Sequence, residues 1–396
     1  MTGDPHQEHA PVELVRGRGG DALVLSMRRV ADVVGYVAMY EFEDLVLELL
    51  RGDRAAPRSD AALERGRRAY KAVRLLTGSR RLGRALTPPL GSRHLERDYG
   101  LFLAVFNHPH ELFNLHALAD WRARSRFAAC YICEAWQSQL PDYLLELLSG
   151  FDHLFLGVDG ACEAVARLTG RPCTYLPMGV DALRFLPSSP TAPRGIDVCG
   201  IGRRSAVTHR ALLAWASGTD RFYFYDTMRR GGPLAATTFH VIDPAEHRLL
   251  FSNLLKRSRY FIANRAWADR PALTQGKDEI AARFYEGAAA GAVMLGDPPD
   301  TDDFRSQFDW PDSVVRTPFD APDIAATLDR LDADPARVER IRRAGVVNAL
   351  RRHDWSERLL RILRVAGVAP GPELEARRAR LSAIADRWTL RETGVA

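Results

Sequence analysis

The sequence predicts an α/β protein made of two tandem, Rossmann-like, doubly wound domains, and three observations lead there. Its 396 residues exceed the usual size of one domain, and 46% hydrophobic with 27% charged residues is an ordinary globular composition. Near-continuous apolar runs of strand length alternate with segments of helical period, the pattern of a parallel sheet covered on both faces. That alternation stops at a proline-rich stretch and then restarts.

Taken in order, "MTGDPHQEHAPVELVRGRGG" (1–20) is polar and glycine-rich and is expected to be mobile. A first domain is expected over 21–179. Its strands are "DALVLSM" (21–27), "YGLFLAVF" (99–106), "RFAACYIC" (126–133), "HLFLGV" (153–158) and "CTYLPM" (173–178). Helices are expected at 43–52, across the arginine-rich stretch from Ala61 to Leu86, and at 109–123, 140–149 and 159–169. The segment 180–195, with three prolines and no period, reads as a linker.

A second domain is expected over 196–370. "IDVCGIG" (196–202), "RFYFYD" (221–226), "RYFIA" (259–263), "AVMLG" (292–296) and "DSVVRT" (312–317) are its strands, with helices at 206–217, 244–258 and 278–290 and three more beyond. The segment 371–390 reads as a final amphipathic helix. In such sheets ligands sit outside the carboxyl ends of the strands at a switch point, so two facing sheets would place a site in the cleft between them.

Composition narrows the function. The net charge of +5 comes from 52 arginines and only three lysines, Lys71, Lys256 and Lys277, interleaved with acids, so no nucleic-acid stripe is expected. Five scattered cysteines make no disulfide framework, and Cys130 and Cys133 in "FAACYICEAW" read as core rather than as a redox or zinc pair. No signal peptide and no transmembrane run is visible, which makes the cytoplasm the expected compartment.

The chemistry-bearing residues fall in four loops. "ARFYEGAAAGAVMLGD" (282–297) places Glu286 on a helix followed by small residues, and Gly291 can take the left-handed conformation that ends it. There a carboxylate suits a vicinal diol, while the plain alternative is a solvated surface glutamate. Just before it, Gly276 and Lys277 would open that helix, where an anion is favoured, and Asp278 and Glu279 would only complement the dipole.

In "CGIGRRSAVTHRALLAWA" (199–216), Gly202 permits close backbone approach, and Arg203 or Arg204 suits a diphosphate. The first domain offers Asn107, His108 and His110 in "FNHPHELFN" and Glu134 with Trp136 in "YICEAWQSQLPDY". A base among them could take the proton of an acceptor hydroxyl, although both histidines could equally cap or pack. His353, Asp354 and Trp355 read as a cap and a core anchor, and "DPPDTDD" (297–303) as a helix start.

The block from Arg259 to Asp297, with "GIGRRS" (200–205) and "YLPMGVDALRF" (175–185), resembles the GT-B glycosyltransferases, particularly bacterial group-1 and CgeB-like proteins. The likeness covers roughly residues 95–365, and it implies that the final helix, 371–390, returns to the first domain. Asp278 and Glu286 match that family's two acidic residues separated by seven others, with aspartate standing at the first position where the family has glutamate. The resemblance implies that Glu286 binds the donor ribose and that Arg203 and Lys277 hold its diphosphate, with Gly202 and Asp278 alongside. Acceptor-side Asn107 and Trp136 and a base, Glu134 or His108, complete the expected set.

The expected activity is metal-independent transfer of a sugar, of the hexosyl type, from a nucleoside diphosphate donor, with no cofactor beyond that co-substrate. The rivals are a non-catalytic nucleotide-sugar or partner-binding protein and a sugar-nucleotide epimerase or hydrolase.

Overall fold

A computed structural model describes residues 11–31, 33–58, 61–79, 82, 92–136, 140, 142–227, 241–274 and 276–390. The chain divides into two compact units. One comprises Met1–Pro177, His240–Pro244 and Leu359–Leu374; the other comprises Met178–Phe239, Ala245–Arg358 and Glu375–Ala396. The second unit thus starts at Met178, inside what reads as the end of a strand.

Among the described residues the first unit holds seven strands: β1 (Val12–Val15), β2 (Ala22–Leu25), β3 (Asp53–Pro57), β4 (Tyr99–Phe106), β5 (Ser125–Ile132), β6 (His153–Leu156) and β7 (Cys173–Tyr175). They lie in the order β1-β3-β2-β4-β5-β6-β7, parallel throughout except for the β1/β3 pair. All eight residues of β4 are buried, which explains its unbroken apolar run. Cys130 and Cys133 are buried too, as the core reading expects, and burial pushes both thiols well up.

Two strands differ from expectation. Val12–Val15, read as mobile tail, forms an antiparallel edge with Val12 opposite Pro57; residues 1–10 lie outside those described. The polar "DRAAP" of β3 has little strand propensity, yet its backbone pairs on both sides. The Asp53 carboxylate is held by Gly17 N (2.8 Å), Arg16 (2.9 Å) and the Tyr99 hydroxyl (2.8 Å), which hold its pKa low against the opposing effect of burial.

The helices also shift. The helix expected at 43–52 spans Val37–Leu50, because "VAMYEF" packs its first turns inward. The arginine-rich helix is Ala61–Thr77, and most of the expected stretch beyond it lies outside the described residues. Segment 109–123 is a short 3-10 helix, Pro109–Ala117.

The second unit holds β8 (Ile196–Gly200), β9 (Tyr223–Tyr225), β10 (Ser258–Ile262), β11 (Val293–Gly296) and β12 (Val315–Arg316) in the all-parallel order β12-β11-β10-β8-β9. Ala182–Phe185 is a helical turn inside the expected linker. The helix expected from Asp278 begins only at Ala282 and runs to Ala289, because Ala281, the residue before it, is extended (φ −74°, ψ 149°). Its small residues permit close packing: a Cβ on Gly287 would lie 2.7 Å from Met294 Sδ and 3.0 Å from Phe261. Gly291, at φ +59°, ends it as expected.

Asp354 and Trp355 match their expected structural roles. The carboxylate accepts from Ser356 N (3.0 Å), Ala182 N (3.0 Å) and Arg377, and the indole is wholly buried. The last helix, Pro372–Leu390, places Leu381, Ile384, Ala385 and Trp388 in the core of the second unit. Among the described residues no helix is long and apolar enough to cross a membrane.

Candidate functional site

In each sheet the parallel strands are wound to both sides of one strand, β2 in the first and β8 in the second, and this locates the crevices. In the second sheet the chain leaves β8 outward to β9, then returns to β10 on the other side, so the switch point lies between β8 and β10. A concavity opens there, at the carboxyl ends of the strands, with Gly200, Arg203, Arg204, Asn264, Gly296 and Thr317 in its lining.

The loop after β8 is built by local chemistry. Gly202 takes φ +80°, and its N–H donates to Asp226 (2.6 Å), the last residue of "RFYFYD". Ser205 caps the helix Ala206–Ala216 by accepting from Val207 N and Thr208 N, both at 3.1 Å. Between them, Arg204 is tied down, donating to the Asp226 carbonyl at 2.8 Å. Arg203 sits with its guanidinium 3.3 Å from the centre of the Trp267 ring and 3.5 Å from Asp269. His209 Nδ1 lies 3.0 Å from the Tyr223 hydroxyl, and burial followed by the charge of Arg204 lowers its pKa.

The other expected donor residues stand apart from this lining. Lys277 is exposed and lies five residues before the helix it was expected to open, so the helix dipole does not act through it. Asp278 pairs with Arg265 at 3.1 Å, which neutralises it. Glu286 is neither solvated nor free: it is 4% exposed and ion-paired with the equally buried Arg248 of the helix Pro244–Lys256. The acidic run after β11 begins the helix Asp302–Gln307 behind a Thr301 cap, as expected.

In the first sheet the switch point lies between β2 and β4, because β3 sits on the far side of β2. Ser26 follows β2 and donates to the buried Glu43, whose pKa burial raises to about 7. Asn107 follows β4 and is held from two sides. Its N–H donates to Glu111 (2.8 Å), and its carbonyl accepts from Glu134 N (2.7 Å). The Asn107 side-chain oxygen is buried without a partner.

His108 caps the helix that follows, with Glu111 completing a reciprocal capping box. Burial raises Glu111 to about 8, against the lowering effect of its backbone hydrogen bonds. His108 Nε2 also stands 3.8 Å from Glu134 Oε2, both side chains about one-third exposed, so the two candidate bases form one pair. His110 is exposed, and partial desolvation and the charges of His108, Arg67 and Lys71 lower its pKa. Trp136, expected on the acceptor side, is 4% exposed and its buried N–H has no acceptor, so its ring packs inward.

Sequence reasoning missed Glu111, Asp226, Trp267 and Arg248. The spacing His108-x-x-Glu111 is a capping signal that could have revealed the first, and an aspartate closing a strand the second. Trp267, at φ +56°, gives no sequence sign of its conformation.

Residues 242–364 match the family model described as "Glycosyl transferase-like". None of the curated proteins matches the chain by sequence. Among solved structures, Anabaena HepE in complex with UDP and glucose is similar at 10% identity, over 88% of this chain and 99% of that one, with a TM-score of 0.48. A glycosyltransferase from Rickettsia africae aligns at 9% identity over 87% and 97%, with a TM-score of 0.46. A TarM variant from S. aureus aligns at 9% identity over 67% and 55%, with a TM-score of 0.40. The segment 242–364, which carries β10, β11 and the Glu286 helix, is therefore glycosyl transferase-like.

Proposed function

We propose that the chain is a glycosyltransferase that binds a nucleoside diphosphate sugar at the β8/β10 switch point and transfers the sugar to an acceptor hydroxyl. The observation that carries this reading is the arginine-bordered concavity at that point, beside a segment matching a glycosyl transferase-like family. A departing diphosphate gains negative charge as the sugar–oxygen bond breaks, and Arg203 with the Gly202 loop can stabilise it without a metal ion. Glu134, paired with His108, takes the proton as the acceptor oxygen bonds to the sugar.

The roles narrow relative to the sequence reading. Arg203 is the principal diphosphate residue, and Arg204 supports the loop. Any contact of Glu286 with a ribose would be shared with Arg248.

Incubation with a panel of nucleotide sugars, following binding and release of nucleoside diphosphate with and without EDTA, tests the reading. Release that persists in EDTA is expected. Binding without release would make the protein a nucleotide-sugar binder, and formation of an epimer would replace transfer with isomerisation.

A further inference from the structure

The arginine-rich helix Ala61–Thr77 touches the site described above only through the charges of Arg67 and Lys71 near His110, and its charge is out of proportion to its length. It carries Arg65, Arg67, Arg68, Lys71 and Arg74 against the single acid Glu64, a net +4 in 17 residues, when the whole chain of 396 totals +5. The interleaving of acids and bases expected along the sequence therefore fails here.

One side of this helix is fastened inward. Tyr70 is fully buried, donates to Glu146 and packs against Phe113 at 5.7 Å, while Arg74 reaches the same carboxylate at 3.2 Å. With position 70 fixed inward, the helical repeat turns 65, 68, 72, 75 and 76 outward. Arg65, Arg68 and Lys71 are exposed, and so are Leu75 and Leu76, at 67% and 86%. Two adjacent leucines left in water at the end of a basic face are unusual for a helix whose other side is already packed.

We propose that this face of the helix Ala61–Thr77 docks the protein on an anionic membrane surface. The basic residues supply attraction to acidic headgroups, and Leu75 and Leu76 enter the headgroup–acyl boundary. The leucines are what select a bilayer over a nucleic acid or an acidic protein segment, since a polyphosphate backbone satisfies the arginines but gives the leucines nothing apolar to enter. The inference does not depend on the proposed activity.

Co-sedimentation of the full chain with vesicles of phosphatidylcholine alone, or of phosphatidylcholine with phosphatidylglycerol, tests it. Binding is expected only to the anionic vesicles and should weaken as salt rises. Arg65→Gln/Arg68→Gln/Lys71→Gln should weaken it by about two orders of magnitude, and Leu75→Ser/Leu76→Ser by about tenfold. These side chains are exposed, so unchanged circular dichroism is expected for both variants. No binding to anionic vesicles at low salt, binding indifferent to the leucine change, or equal binding to neutral vesicles would each overturn the proposal. Binding to double-stranded DNA that survives the leucine change, without vesicle binding, would assign the face to nucleic acid instead.

Discussion

At the switch point of the first sheet, between β2 and β4, stand Ser26, Glu43, Asn107 and Glu111, with the His108–Glu134 pair beside them. At the corresponding point of the second, between β8 and β10, stand Arg203, Arg204, His209 and Asn264. Both crevices arise from the same winding of parallel strands, yet one gathers carboxyl groups and the other guanidinium groups. The topology decides where a ligand can sit, and the few residues after each strand decide what kind. An acidic edge suits removal of a proton; a basic edge suits a phosphate.

The sharpest way to break this comparison is at the acidic edge. Glu134→Gln should lower the rate of nucleoside diphosphate release to acceptor by about two to four orders of magnitude, the usual contribution of a general base, while leaving donor affinity intact. His108→Asn should be much milder. The reverse ranking in steady-state kinetics would move the base to His108.

Next in size is the buried Glu286–Arg248 pair. Glu286→Ala leaves a buried guanidinium without its partner and should cost about 3 to 5 kcal/mol of stability in urea unfolding. The paired change Arg248→Met/Glu286→Leu should recover most of it. A fully stable Glu286→Ala that loses only nucleotide affinity would return this residue to the binding site.

At the basic edge, Arg203→Ala should weaken nucleoside diphosphate binding by about 1.5 to 3 kcal/mol in calorimetry, with little change for the free nucleoside. Arg204→Ala should affect both ligands alike, through the loop it braces on Asp226.

A separate effect, on stability rather than on binding, is a pH dependence of the acidic edge. Burial raises Glu111 from 4.5 to about 8, so the folded protein retains a proton that the unfolded chain releases. Its contribution to stability is complete below about pH 4.5 and is lost as pH rises through about 8. Glu111→Gln should therefore flatten the decline in stability across that window, read from urea midpoints. An unchanged slope would mean that Glu111 is ionised throughout.

Much of this architecture was legible in the sequence. The apolar runs of β4, β5, β8, β10 and β11 announce buried parallel strands because a strand covered on both faces needs no polar alternation. The Gly202–Arg203–Arg204 loop was legible for a related reason: a turn that needs positive φ calls for glycine. β3 was hidden, since "DRAAP" becomes a strand only through its neighbours and the charges around Asp53. The start of the Glu286 helix was misplaced because Asp278 and Glu279 imitate a first helical turn, whereas Asp278 is engaged with Arg265 in the loop before the helix. Trp136 could be read either as acceptor-side or as packing, because local sequence does not tell which side of a loop faces inward, and its side chain is buried.

The central claim is that the basic edge of the second sheet holds the donor diphosphate. A crystal structure of the chain soaked with a nucleoside diphosphate tests it most directly. The account predicts phosphate density at the carboxyl ends of β8 and β10, within hydrogen-bond reach of Arg203 and the backbone of the Gly202 loop. Phosphate bound at the β2/β4 edge beside Glu43 and Glu111, with the β8/β10 concavity empty, would contradict it.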